Sequence, residues 1–263
     1  MSWLNPIRIT NRSEVVFEDS IPTRDYQRFR QRCIYKHHRE LLYMEDDSYS
    51  IVDPASNSEQ YNQYSQLVKD YWNWVQGKDP DSNPKNPNNP NVTFLRDDII
   101  GGPLKHEVGI AHGPREGEDQ PWRKNVTIYP DMKIFFPVYH CLSVNAHPYV
   151  EGGKCDTPDR RKKAVKFDLA NNFDKWARIN GRDIDLRNHY IETGEFNLNV
   201  PEGNQLNREA GFNLAPGKYE GFAAGTYVYL EKLNLGDYNI DFGGRATDFH
   251  SQSIYNVKVK DKP

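Results

Sequence analysis

The chain has few cysteines, no long apolar run and no nucleophile or phosphate motif, and each shortage removes a class of protein. Its three cysteines, Cys33, Cys141 and Cys155, are an odd number in 263 residues and too few for a disulfide framework. Reduced thiols are expected rather than a Cys141–Cys155 bridge. No segment approaches the roughly 18 apolar residues of a membrane-spanning helix, so no membrane insertion is expected. The opening M-S-W-L-N-P-I-R-I-T-N-R lacks the apolar core of a signal peptide, so the expected location is intracellular or in a virion. A formal net charge of −3 gives no general reason to expect nucleic acid. The G-x-S-x-G elbow, the G-x-x-x-x-G-K-[ST] phosphate loop and the dinucleotide fingerprint are missing, and no cofactor is expected.

Aromatic side chains are plentiful. Hydrophobic residues are 37% of the chain, but 16 Tyr, 12 Phe and 5 Trp bring the aromatics to 13%, and each buries a large area. Such usage favours sheets over helix bundles. Three zones follow along the chain. Residues 1–77 read as an N-terminal helical arm, with one helix over Asp25–Met44 and a second over Ser58–Gln76. In the second, Ser58 is the expected cap, Gly77 the stop, and Tyr61, Tyr64, Val68, Tyr71, Trp72 and Val75 the apolar stripe. Residues 78–91, K-D-P-D-S-N-P-K-N-P-N-N-P-N, read as a loop because proline interrupts both ladder and helix. Residues 92–263 read as a β-sandwich domain, immunoglobulin-like or jelly-roll, with a basic loop D-R-R-K-K at 159–163 and a tight hairpin at Asn180-Gly181.

The last third carries the plainest pattern, A-G-T-Y-V-Y-L-E-K-L-N-L-G-D-Y-N-I-D-F-G-G from Ala224 to Gly244. Its L-x-x-G-x-Y-x-I string at a strand entry suggests a tyrosine corner, with the Tyr238 hydroxyl bonded to backbone near Leu233–Leu235. Trp72, Phe135, Val228, Leu230, Ile240 and Val257 are the expected core. Together with W-x-W (Trp72, Trp74), N-P-K-N-P, T-F-L-R-D-D-I-I-G-G and P-D-M-K-I-F-F-P-V, this pattern resembles a group of uncharacterised archaeal, bacterial and viral β-sandwich proteins. The resemblance spans roughly Tyr61 to Val259. The chain departs from the group at Asp131 and Met132, where the group shows a glycine, and at Tyr238, often histidine there. What the resemblance implies is the fold, with no activity attached.

Candidate chemistry is sparse. His106 and His112 are six apart, not the four that put two ligands on one helical face, and on a strand they would stand about 20 Å apart. His140, Cys141, His147 and Cys155 are the right ligand types for zinc, but no C-x-x-C knuckle joins them, and a buried strand cysteine with surface histidines is expected. Asp97-Asp98 reads as a solvated turn rather than a calcium site. The first helix is different. Arg24, Arg28, Arg32 and Lys36 lie four apart and form one positive stripe, which reads first as a solvated face and second as a surface suited to an acidic partner. The expected function is therefore a non-enzymatic structural or interaction protein, self-assembling or bound to protein partners and capsid- or shell-associated in its most concrete version. Nucleic acid is not an expected partner. The alternatives are a carbohydrate or small-ligand module using Trp122, Tyr139, Tyr149 or Tyr219, and a metal-dependent enzyme using His106, His112, His140 or His147.

Overall fold

Alternation of large apolar and polar residues builds two sheets in this computed structural model. The structure describes residues 8–9, 15–16, 48–77, 84–96, 122–147, 152–170, 174–203, 214–246 and 249–263. The chain divides into Met1–Asp47 and Ser48–Pro263. In the first unit, β1 (Arg8–Ile9) pairs antiparallel with β2 (Val15–Val16), and the helix expected over residues 25–44 lies outside the described residues. The second unit begins at Ser48. The second helix therefore belongs with the sheets, whereas the sequence reading grouped residues 1–77 as one arm. Burial of that helix's apolar stripe is the reason.

The elements of the second unit run β3 (Tyr49–Ile51), α1 (Ser58–Val75), β4 (Val92–Phe94), β5 (Trp122–Ile128), β6 (Lys133–Val144), α2 (Pro158–Ala170), β7 (Asp174–Ile179), β8 (Arg182–Asp183), β9 (Tyr190–Val200), β10 (Gly217–Leu233), β11 (Gly236–Ala246) and β12 (Phe249–Val259). One five-stranded sheet has the order β3-β10-β6-β4, with β9 also on β10. The other has the order β5-β12-β11-β7-β8. Pairing is antiparallel except for β4 with β6 and β5 with β12. Among the described residues the chain is thus mainly β, with two five-stranded sheets, the β1–β2 pair and few helices.

Two cores result. Between the sheets lie Ile134, Phe136 and Val138 of β6, Val228 and Leu230 of β10, and Ile240, Phe242, Tyr255 and Val257 from the second sheet. The other face of the first sheet receives α1, where Tyr64, Val68, Tyr71, Trp72 and Val75 pack on Phe135, Leu142, Ile191, Tyr227 and Tyr229. All six expected core residues are buried. In β6 the two faces exchange at a bulge beside Pro137, where register against β10 shifts between Thr226 and Tyr227. A bulge is where a strand tolerates a residue without an N–H.

Local signals explain the element ends. Asn57, not Ser58, caps α1, its Oδ1 accepting from Gln60 N at 2.8 Å. Asn180 (φ 52°) and Gly181 (φ 77°) make the expected tight hairpin between β7 and β8. Tyr238 is buried, and its hydroxyl donates to Asn234 O (3.0 Å) and Ser48 O (2.8 Å), as the corner pattern requires. The N-P-K-N-P loop is tied to α1. Asp70 accepts from Asn86 Nδ2 at 3.3 Å and Asn88 Nδ2 at 2.8 Å.

A further expectation fails. Residues 159–163 are not a loop but the first turns of α2. Thr157 Oγ1 accepts from Arg160 N at 3.4 Å, Pro158 occupies a first-turn position whose N–H has no helical acceptor, and Asp159 complements the helix dipole. Charge conceals the helix because, among the described side chains, its docking is largely ionic. Val165 and Leu169 touch Phe222 and Ala224, while Arg161, 1% exposed, reaches two carboxylates on neighbouring strands.

Candidate functional site

The stripe Arg24, Arg28, Arg32 and Lys36 lies outside the described residues, as do His106, His112 and the Asp97-Asp98 turn. The other suspected ligands are described and do not converge. His140 faces α1, stacked on Trp72 with ring centroids 4.6 Å apart. Cys141, the next residue in the strand, points to the opposite face beside Val165. His147 is half-buried, and desolvation of its ring pushes its imidazole down to about 4. Cys155 is fully buried and donates its N–H to His147 O at 2.8 Å. Among the described residues no group of three or more His, Cys, Asp or Glu could hold a metal ion.

The aromatics suspected of stacking on a sugar are equally dispersed. Tyr219 packs against the α1 side of the first sheet and donates to Ala215 O at 2.7 Å. Tyr139 leans toward the second sheet, 3.7 Å from the position of a Cβ on Gly244. Tyr149 and the Trp122 side chain are outside the described residues.

What the fold does assemble is ionic on one side and amide-rich on the other. On α2, Arg161 donates to Glu195 Oε2 through Nε (2.8 Å) and Nη2, to Glu220 Oε2 (3.0 Å) and to Cys155 O (3.0 Å). Lys162 and Lys166 grip Glu192 at 2.9 and 3.2 Å. Burial pushes the Glu192 carboxyl up, but the bonds from the two lysines outweigh it and hold it below the usual carboxylate range. Lys and Arg here attach a helix to β9 and β10.

The outer face of the second sheet carries a row of asparagines. Asn239 Nδ2 donates to Asn256 Oδ1, and Asn256 Nδ2 donates to Asn125 Oδ1, both at 3.0 Å. The row crosses β11, β12 and β5, and all three side chains are exposed. One row along, Asp241 accepts from Trp176 Nε1 and Gln252 Nε2, both at 3.0 Å.

Sheet edges separate more sharply than faces. The terminal strands β3, β4 and β8 are two or three residues long, whereas β9 has 11 residues and β5 has 7. A long edge offers its N–H and C=O groups to any passing strand. On β9 that hazard is met by α1. Tyr61 OH bonds Glu192 O (3.3 Å) and N (3.1 Å), Ser65 Oγ donates to Thr193 O (3.2 Å), and Asn73 bonds Asn197 O (3.2 Å) and Asn199 N (2.9 Å). Residues at four-residue spacing share one side of a helix, so these polar groups run down the strand together. On β5 the described strands supply a neighbour on one side only, β12.

Neither the edge sealing nor the asparagine row is visible in the sequence, because both depend on partners far apart in the chain. The one available signal is that Asn125, Asn239 and Asn256 each sit next to a strand's inward-facing Val, Ile or Tyr.

No family model, curated protein or solved structure matches the chain.

Proposed function

We propose that the protein is a non-enzymatic interaction subunit, a β-sandwich of the immunoglobulin-like or jelly-roll kind that works inside a larger assembly. The observation that supports this reading is the contrast between its two long terminal strands. One is lined by hydrogen-bonding side chains of α1, and the other, β5, has a strand on one side only among those described. Strand addition at such an edge uses main-chain hydrogen bonds and needs no catalytic constellation. A capsid or shell subunit is the concrete version, and it rests on fold-level analogy.

Cross-linking of the full chain through lysine, followed by mass spectrometry, tests the reading. Lys124 on β5 and Lys258 on β12 should link to a partner protein or to another copy. A chain that is a monodisperse monomer at about 100 µM, retains no partner and gives only intramolecular links from these residues refutes it.

A further inference from the structure

We infer that Lys175 is a nucleophilic lysine, the site at which a small aldehyde joins the protein as an imine. The site lies outside the interaction reading and stands or falls without it.

Its position follows from the strands. Side chains alternate in facing along β7, and Ala177 and Ile179 are buried between the sheets. Lys175, two residues before Ala177, therefore points inward as well, near the start of the strand. Its Nζ donates to Thr226 Oγ1 of β10 at 3.1 Å, and Thr226 is 1% exposed. In register, Thr226 stands opposite Tyr139 of β6 and Tyr190 of β9, so the three residues share a face. The ladder neighbour of Lys175 itself is Gly244, which presents no side chain. The fold thus holds an amine against a hydroxyl that two tyrosines flank.

The partner decides the chemistry. Lys133, Lys162, Lys166 and Lys262 each bond a carboxylate, an acceptor that suits the ammonium and has no hydrogen to give a neutral amine. The Thr226 hydroxyl accepts from the ammonium and, by turning its hydrogen, donates to the lone pair of the neutral amine. Both forms are therefore satisfied, and partial burial favours the uncharged one. Burial accordingly pushes the Lys175 ammonium below the usual lysine range. In the ladder, the charged neighbours Asp174 of β7 and Arg245 of β11 oppose each other on the other face of the sheet. Beyond Thr226, the Tyr190 hydroxyl donates to Glu192 Oε1 at 3.4 Å, and Glu192 is itself paired with Lys162 and Lys166. Lys175 as a whole remains exposed, and Tyr190 is 42% exposed, which gives a reagent its approach.

An uncharged lysine amine is a nucleophile toward carbonyl carbon. Nitrogen forms the new bond to that carbon, and a proton it loses ends on the carbonyl oxygen, giving a carbinolamine. The nitrogen lone pair then expels this oxygen as water while the second proton leaves nitrogen, giving the imine. One water is released, and no electron donor or acceptor is needed.

Competitive labelling of the full chain tests the inference, with trace acetic anhydride between about pH 6 and about pH 11 and peptide mass spectrometry reading each lysine. The rate at Lys175 should reach its plateau at lower pH than at the exposed Lys258 and Lys260. At about pH 7.5 it should exceed theirs at least about fivefold. In about 8 M urea the three should label alike. Benzaldehyde with cyanoborohydride at about pH 7.5 should place its benzyl group on Lys175 first. Lys175→Arg should lose that group while keeping its urea midpoint. A Lys175 profile that coincides with those of Lys258 and Lys260 overturns the inference. So does an early plateau with a limiting rate below theirs, the mark of an enclosed amine. A preference that survives in urea, or a benzyl label spread evenly over the lysines, overturns it too. If Lys175→Arg fails to fold, the wild-type profile decides.

Discussion

Replacing Arg161 by alanine should release α2 from the first sheet. The guanidinium is 1% exposed and donates to Glu195, Glu220 and Cys155 O. Removing one member of a fully buried ion pair costs about 3–5 kcal/mol. Here the carboxylates are not fully buried: the Glu195 and Glu220 side chains are 36% and 62% exposed, so both rehydrate when the arginine is gone. What is lost is the buried bond from the guanidinium to the Cys155 carbonyl, worth about 1–3 kcal/mol, and the packing of the arginine stem. We expect a loss of about 3 kcal/mol for Arg161→Ala and about half of that for Arg161→Met, which keeps the stem volume. Because the described side chains of α2 make few apolar contacts, the loss should appear first as local opening. Limited trypsinolysis should cut Arg160, Lys162, Lys163 and Lys166 at least about tenfold faster, before urea unfolding reports a change in the sheets. An alanine variant within about 0.5 kcal/mol of wild type, with unchanged cleavage, would show that the ionic network holds nothing together.

Tyr238→Phe removes the hydroxyl that serves Asn234 O and Ser48 O. It should cost about 1 kcal/mol in urea denaturation, and a change below a few tenths would mean the corner is redundant. Gly225 lies against β6, where an added Cβ would fall 2.6 Å from His140 Cα and collide with Tyr139 O. Gly225→Ala should therefore lose about 2 kcal/mol, and a neutral result would refute the close strand approach. His147 has a folded pKa near 4, below its ordinary 6.5, so the unfolded chain binds the extra proton first. Its contribution is complete above pH 6.5 and is lost as pH falls to about 4, up to about 3 kcal/mol in all. His147→Gln should flatten that part of the stability–pH curve, and an unchanged slope between pH 6.5 and 4 would exclude His147 as its source.

The parts legible in the sequence are those encoded by neighbours. Period-two alternation places Ile240 and Phe242 inward and Asn239 outward without knowledge of their partners. Asn180-Gly181 specifies its hairpin because both residues accept positive φ. The Tyr238 corner closes on Asn234, four residues away. The parts that were not legible need distant partners. P-D-R-R-K-K reads as loop until Glu192, Glu195 and Glu220 arrive from strands that follow α2 in the chain. The pairing of β5 with β12 joins Asn125 to Asn256 across 131 residues, and no local pattern announces a parallel partner.

That division bears on function. A helix can dock onto a sheet by its apolar stripe alone, and Tyr64, Val68, Tyr71 and Trp72 supply one. Ser65 and Asn73 add nothing to that stripe, and Tyr61 packs at its margin. They lie beside it and satisfy main-chain groups of β9 that water could also satisfy, so their gain in stability is small. Their effect is to deny the edge to other strands, which is a matter of specificity. Short length does the same work for β3, β4 and β8. On β5 the described strands supply one neighbour, β12. The asparagine row gives that strand a polar outer face whose side-chain amides hydrogen-bond from strand to strand.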